Sequence, residues 1–448
     1  MKVTQYITND SLQFATRPIF RSTKMSGALT LRETGTVVSD DFLGFGVAIT
    51  GSSCYELSLM EPERRRALIE EVYGKNGIGL SIARLSVASS DYSAELYSYD
   101  DVENDTALTH FSIDRDRAYI IPMIREILAV NPDLFLYASP WSPPGWMKTG
   151  GNMCGGYMRA EYIECYADYI VKFLEEYAKC GIKIAALTPQ NEPETQQHGQ
   201  MPACIWHPDI EAAYISVLRR KLRERGMDVQ IWMFDQNLDN YLRVNWMLDT
   251  YSQLRKDCDG AAFHYYRGSI EQTRAVREKY PEIKIHFTEG GPRLYDHYDT
   301  DWCKWGLTVS RALNEGLSSF TGWNLMLDET GGPNIGPYFC GGLIMRNSIS
   351  GDLSYSGQFK AFRHVAKFMK KGAKVLELLI DDNTYGTYRF PKEDAPLQAS
   401  LIENPDGSRA YLLINRDSTK RQVQFFEGGT WWYVEMLPNT VSTVVVEV

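Results

Sequence analysis

Ile182 to Glu194 reads IKIAALTPQNEPE: a short run, apolar but for one lysine, followed by a polar block with two amides and two carboxylates. A strand that only has to leave the core for solvent ends in the ordinary turn residues, such as glycine, aspartate or serine. Asn191-Glu192-Pro193 is an unusual exit, and it marks the strand end as a place where polar chemistry is needed.

The pattern recurs along the chain. FLGFGVAITG (42–51), IGLSIARLSVASSD (78–91), LFLYASPWSPP (134–144), VQIWMFDQN (229–237), GAAFHYY (260–266), IKIHFTEGG (283–291) and SSFTGWNLMLD (318–328) are likewise short apolar runs that close on polar or glycine-rich residues. With the first stretch they make eight. They are apolar almost throughout, as strands buried on both faces are. Between them lie amphipathic stretches such as Ala160–Cys180 and Asp209–Arg225, each followed by the glycine that a helix C-terminus favours. Ser112 and Asp114 stand before another, RAYIIPMIREILAV, as capping candidates. Strand followed by helix, repeated eight times, predicts an α/β fold of the (β/α)8 TIM-barrel type.

Beyond Ala373 the rhythm changes to alternating strands and tight turns: TYGTYRF, LQASLIENPDGSRAYLLINRD, RQVQFFEGGTWWYVEML and VSTVVVEV. NPDG (404–407) is a hairpin turn signal. This tail predicts an attached β-sandwich, to which the N-terminal segment is expected to add strands. The expected organisation is 1–36 for those strands, 37–372 for the barrel and 373–448 for the sandwich. GFGVAITG, with Gly44, Gly46 and Gly51, does not match a dinucleotide fingerprint, because the glycine spacing is wrong and no helix opens at the second glycine.

Composition narrows the function. The 448 residues carry 47 Lys and Arg against 57 Asp and Glu, a net charge of −10, which argues against a nucleic-acid partner. Ten Trp and 27 Tyr suit the faces of sugars as well as a large core. The eight cysteines show no CxxC and the seven histidines no HxxxH or HxH, so neither a disulfide frame nor a metal or other cofactor is expected. No run reaches transmembrane length and the start lacks a signal-peptide core, which predicts a cytoplasmic protein unless an export signal has been removed.

In a barrel of this type the active site forms at the C-terminal ends of the strands. The residues closing the runs are Arg84 and Asp91, Trp141, Asn191 and Glu192, Asp235 and Asn237, His264 and Tyr266, Glu289, and Trp323 with Asn324. Glu192 and Glu289, 97 positions apart (289 minus 192), therefore face one bowl. That is the apparatus of a retaining glycosidase, in which one carboxyl group gives a proton to the leaving oxygen and the other attacks the anomeric carbon. Arg84 and Tyr266 are expected to keep Glu289 charged, apolar and aromatic neighbours to keep Glu192 protonated, and Asn191 to meet a sugar hydroxyl. Singly, such residues are more often solvated, ion-paired or core residues; their coincidence at one end of the barrel carries the reading. Glu194 and Asp328, further along their loops, are read as solvated charges.

The blocks FGVAITGSS, RLSVASSDYS, ASPWSPPGWMKT, TPQNEPE, FHYY, FTEGG and WNLMLDETGGPN resemble, in order, the strand-end blocks of glycoside hydrolase family 30, the family of acid β-glucosidase, or glucosylceramidase. The resemblance spans nearly the whole barrel and implies the same sandwich. It implies Glu192 as acid/base and Glu289 as nucleophile. It further implies Asp91, Trp141, Asn191 and Trp323 as −1 sugar ligands, with Arg84, Asp235, His264 and Tyr266 in support. Tyr338 stands about where glucosylceramidase-like members place a sugar-touching asparagine, and Ile335 where they place an aromatic residue. PETQQHGQMPACIW differs from the lysosomal enzymes and looks bacterial, so a ceramide aglycone is not assumed.

The expected function is a metal-independent, retaining, exo-acting β-glycosidase that takes a β-glycoside or oligosaccharide and releases terminal glucose or a close relative. Within the family the alternatives are an endo- or exo-β-1,6-glucanase and an exo-xylosidase, fucosidase or galactosidase. The alternative of another class is a non-catalytic carbohydrate-binding barrel, against which the retention of both glutamates argues.

Overall fold

The structure is a computed structural model that describes residues 1–390 and 397–447; 391–396 and Val448, which fall within the expected 373–448 sandwich, lie outside the described residues. The eight apolar runs are the eight barrel strands: β1 (Phe45–Ile49), β2 (Ile82–Val87), β3 (Phe135–Pro140), β4 (Ala186–Leu187), β5 (Gln230–Asn237), β6 (Gly260–His264), β7 (Lys284–Glu289) and β8 (Ser319–Gly322). They pair in sequence order, all parallel, and β8 returns to β1 to close the barrel. Strand β4 is only two residues long. Its line continues because the Thr188 and Asn191 amides donate to the carbonyls of Ala138 (3.0 Å) and Pro140 (2.8 Å) on β3, which carries Asn191 to the rim.

Apolar side chains fill the barrel and the shell between strands and helices. Ile82, Tyr137, Ala186, Trp232 and Ala262 pack together inside the barrel, with His286 stacked on Trp232 at 3.6 Å between ring centroids. The expected helices form at Ile163–Lys179 and Pro208–Glu224. Gly181 and Gly226, just beyond them, adopt φ of 79° and 63°, the left-handed geometry that glycine reaches without strain. The capping expectation at Ser112 and Asp114 is corrected. Ser112 Oγ accepts from the Asp114 amide at 3.1 Å, but this only precedes a 3-10 turn, Asp114–Arg117, whose N-cap is Ile113, and the α-helix begins at Ile120 after Tyr119 with no side-chain cap.

The two chain termini build one sheet outside the barrel. Lys2–Thr8 pairs antiparallel with Thr440–Glu447, and Leu29–Ser39 pairs with both Lys374–Asp382 and Arg421–Glu427. The sheet has eleven strands, ten of them on one continuous hydrogen-bonded path and the eleventh, Gly386–Tyr388, paired with Lys374–Asp382 beside it, yet the sheet folds over its own apolar core. Tyr411 and Phe425, on strands that are not neighbours along the path, bring their rings to 4.5 Å. NPDG makes the expected hairpin between Leu397–Glu403 and Arg409–Asn415, with Gly407 at φ 80°. The sheet is pinned to the barrel by polar bonds: Trp302 Nε1 donates to the Asn439 carbonyl at 2.9 Å, and His364 bridges Thr443 and Thr8 at 3.1 and 2.8 Å. Among the described residues no disulfide forms, and no helix is long and apolar enough to cross a membrane.

Candidate active site

The strand ends converge on a buried arginine. Arg84 Nε donates to Ser139 Oγ at 3.1 Å, and Nη2 donates to Asn191 Oδ1 and Asp235 Oδ2, both at 2.8 Å. Nη1 makes a very short charge-assisted bond to Glu289 Oε2. Above the guanidinium lie Trp141 (4.7 Å to the ring centroid) and Trp323 (5.6 Å), themselves stacked 5.3 Å apart. Burial lowers the pKa of the guanidinium, but the Asp235 and Glu289 charges outweigh it and raise it above the ordinary arginine value.

Two local irregularities aim the carboxylates. Between β5 and β6 the register jumps so that Asp235 has no partner, and between β6 and β7 it skips Thr288. A bulge of this kind turns a side chain that strict alternation would send elsewhere. Asp235 pays with left-handed backbone, φ 63°, a conformation that costs a non-glycine residue about 1–3 kcal/mol. Its Oδ2 accepts from Arg84, Ser139 (3.0 Å) and Thr188 (2.7 Å), and its Oδ1 from His264 Nε2 (2.9 Å) and Thr288 (2.7 Å). Burial raises the Asp235 pKa, but Arg84 and His264 overcome this and hold it well below the usual carboxylate range.

His264 joins the two halves of the site. Its Nδ1 faces Glu192 Oε1 at 3.3 Å and Glu289 Oε1 at 3.9 Å. Burial pulls its pKa down, yet Glu289 and Asp235 push it up to about 10, so the ring is an imidazolium that faces both glutamates. Tyr266 donates its hydroxyl to Glu289 Oε1 at 2.8 Å. The two partners expected of Glu289, Arg84 and Tyr266, therefore both bind it.

Glu192, His264 and Glu289 each bring one polar atom within 4.8 Å of the others. Among the described residues this is the one trio with metal-ligand chemistry. The set does not fit a cation: both Glu289 oxygens are committed to Arg84 and Tyr266, and a buried arginine and an imidazolium would repel it.

The residues surround a cavity of about 390 Å³, toward the small end of the roughly 300–1,000 Å³ of typical small-molecule sites. Asp91, Trp141, Asn191, Glu192, Tyr266, Glu289 and Trp323 line it. Arg84, Asp235 and His264 stand behind this lining, fully buried. Asp91 is 5% exposed, and its Oδ1 has no hydrogen-bond partner among the described residues. Burial, then the charges of Glu289 and Glu192, raise its pKa well above the normal value. The Ile335 amide holds the Asp91 carbonyl at 2.8 Å, and Gly336 is required there because a Cβ would sit 2.7 Å from that of Asp91.

Some lining residues were not singled out in the sequence. Gln197 and Met201 follow Glu192 in the same loop, Arg293 follows Glu289, and Cys340 ends the loop of Tyr338. Glu194 is corrected: instead of a solvated charge it is a lining residue paired with Arg243 at 3.3 Å and bound by Asn240. Asp328 is partly buried, its Oδ1 accepting from the Thr330 and Gly332 amides at 2.8 and 2.7 Å. No sequence signal distinguishes either carboxylate, because their partners come from distant segments or from the turn itself.

A (β/α)8 barrel with two facing glutamates at its strand ends, one held by an arginine and a tyrosine, defines a glycoside hydrolase. Residues 42–369 match the glycosyl hydrolase family 30 TIM-barrel domain, and the chain belongs to that family. It is 27% identical over 433 residues to an endo-1,6-β-D-glucanase of Neurospora crassa, covering 93% of this chain and 88% of that protein. It is 27% identical over 399 residues to the lysosomal acid glucosylceramidase of Mus musculus, covering 84% and 75%. Among solved structures, SrfJ from Salmonella typhimurium matches with a TM-score of 0.89 at 26% identity over the whole of both chains. An endo-β1,6-glucanase matches with a TM-score of 0.86 at 26% identity, covering 99% of each.

Proposed function

We propose that this glycoside hydrolase cleaves β-glucosides with retention, with Glu289 as nucleophile and Glu192 as acid/base. The observation that carries the reading is the approach of a Glu192 and a Glu289 oxygen to within 4.8 Å. Retaining enzymes hold their carboxyl groups about 5–5.5 Å apart, whereas inverting enzymes need about 6.5–9.5 Å to admit a water. In the first step a Glu289 oxygen bonds to the anomeric carbon, the glycosidic C–O bond breaks, and Glu192 gives its proton to the departing oxygen. In the second, Glu192 takes a proton from water, and that water displaces Glu289 from the sugar.

Arg84 and Tyr266 orient the attacking carboxylate. The imidazolium of His264, kept charged by Glu289 and Asp235, sets a positive charge beside the two glutamates. The glucosyl unit lies against Trp141 and Trp323, and Asp91, whose buried oxygen lacks a partner among the described residues, receives its far hydroxyls. Glucose is favoured because both kinds of relative, a glucosylceramidase and an endo-1,6-β-D-glucanase, are named for glucosyl substrates.

The reading is of terminal glucose release. A second reading, internal cleavage of a β-1,6-glucan, is favoured by the full-length likeness to an endo-β1,6-glucanase. A β-1,6-linked residue keeps its 2-, 3- and 4-hydroxyls free, so a cavity that engulfs those suits both. The readings part at the 6-hydroxyl, which must stay open toward the chain in the second.

The test is a panel of 4-nitrophenyl β-glucoside, xyloside, fucoside and galactoside beside a linear β-1,6-glucan, with Glu289→Gln protein run in parallel. Glucoside cleavage that the variant lacks supports the first reading, and oligosaccharide release from the glucan alone supports the second. Wild-type activity in the variant, with contamination excluded, would sink both.

A further inference from the structure

We infer that Gln197, held by Tyr338, positions Glu192, so that the loop carrying Tyr338 tunes how well the leaving group is protonated. The inference rests on the reading of Glu192 as the acid/base. Three segments meet at this point. Gln197 Nε2 makes a very short bond to Glu192 Oε2, and Tyr338 donates its hydroxyl to Gln197 Oε1 at 2.7 Å. Tyr338 is fixed in turn: its carbonyl accepts from the Tyr92 hydroxyl at 3.0 Å, and that hydroxyl accepts from the Cys340 amide at 2.9 Å. Tyr92 directly follows Asp91, so a chain of bonds runs round the mouth of the cavity from the sugar-gripping end to the acid.

The chemistry follows from the asymmetry of an amide, which has a donor side and an acceptor side. Tyr338 occupies the acceptor side, which turns the donor side toward Glu192 and fixes the rotation of its carboxyl group. Among the described residues no other group does this. His264 faces the opposite oxygen, Oε1, at 3.3 Å, and the Tyr266 hydroxyl is committed to Glu289. The remaining charged neighbours, Glu289 and Asp91, are carboxyl groups and do not replace the amide as a neutral, oriented donor. The backbone is bent to deliver this contact: Glu192, Gln197 and His198 have φ of 51°, 47° and 55°, in a region side-chain-bearing residues rarely adopt. Gln197 is a positioning residue here, and Tyr338 acts through it.

The test separates proton donation from all else by changing the aglycone. A 2,4-dinitrophenyl group leaves without a proton, whereas an unsubstituted phenyl group needs one. Steady-state kinetics are measured on both β-glucosides for wild type, Gln197→Met, Tyr338→Phe, the double variant and Glu192→Ala, with the melting temperature of each recorded.

Gln197→Met is expected to lose about tenfold or more in kcat/KM on the phenyl glucoside beyond its loss on the dinitrophenyl glucoside, a share of the 10²–10⁴-fold that general acid catalysis supplies. Tyr338→Phe shifts the same way by less, and the double variant is no worse than Gln197→Met, because the hydroxyl works through the amide. Equal losses on both aglycones, or additive losses in the double variant, would overturn the inference. If Gln197→Met proves unstable, Tyr338→Phe, which keeps the ring, carries the test. Glu192→Ala distinguishes the two levels: if it shows no dependence on the leaving group, the acid/base reading itself fails.

Discussion

Replacing Asp235 by asparagine tests whether the charge lattice beneath the site is structural as well as catalytic. The carboxylate accepts three bonds on Oδ2, from Arg84, Ser139 and Thr188, and two on Oδ1, from His264 and Thr288. Asparagine must point its NH2 at one of these sets, and every member of both is a donor. The milder choice faces His264 and Thr288, since the hydroxyl can turn to the Phe263 carbonyl at 3.3 Å and the imidazole can give up its proton. Arg84 then keeps Glu289 but loses one of its two compensating charges.

Breaking a buried pair by removing one partner costs about 3–5 kcal/mol, and the unmet donor of His264 adds to that unless the ring deprotonates. A loss of about 3–5 kcal/mol is therefore expected by urea denaturation followed through tryptophan fluorescence. The catalytic signature is a His264 ring that titrates at lower pH, because Asp235 supplies part of what holds its pKa at about 10. A loss below about 1 kcal/mol, what an exposed pair is worth, would refute the argument that Asp235 anchors Arg84 and His264.

Two further outcomes follow from buried titratable groups. Burial, reinforced by Arg363 at His364 and partly opposed by Asp41 at His286, lowers both histidines to about 3 from an ordinary 6.5. Their folded pKa lies below the unfolded one, so the unfolded chain binds more protons between those values and stability falls as pH drops from 6.5 toward 3. At pH 5 the loss should be about 2 kcal/mol per histidine relative to pH 7.5, and His364→Gln should reduce it in urea titrations at the two pH values. Asp91→Ala should cost about 10–100-fold in kcat/KM, the worth of leaving a buried sugar hydroxyl without its partner, without lowering the melting temperature, since Asp91 Oδ1 has no partner among the described residues to lose. A matching drop in melting temperature would mean that Asp91 serves the fold instead.

Much of the site could be read in the chain because a barrel ties position to role. A short apolar run that ends in Asn191-Glu192 or in Glu289 announces its own C-terminal end, and the closed barrel brings all such ends to one bowl. What escaped was whatever depends on partners from elsewhere. Glu194 looked like a solvated loop charge until Arg243, 49 positions on, was found against it. Gln197 is one of several polar residues in its loop, and nothing local marks it until Tyr338 arrives from the far side of the mouth. Ser112 was a reasonable cap, but the helix it seemed to open starts later, after a 3-10 turn.

By itself the sequence determined the eight strands, their order, the terminal β structure and the pair of glutamates, because periodicity, glycine stops and strand-end chemistry are local properties written residue by residue. Tertiary structure alone decided the register jumps that turn Asp235 and Glu289 inward, the arginine shared between them, and the imidazolium between the two glutamates. Those depend on distances between strands that meet only when the barrel closes, where burial removes water and a few ångströms decide which charges persist.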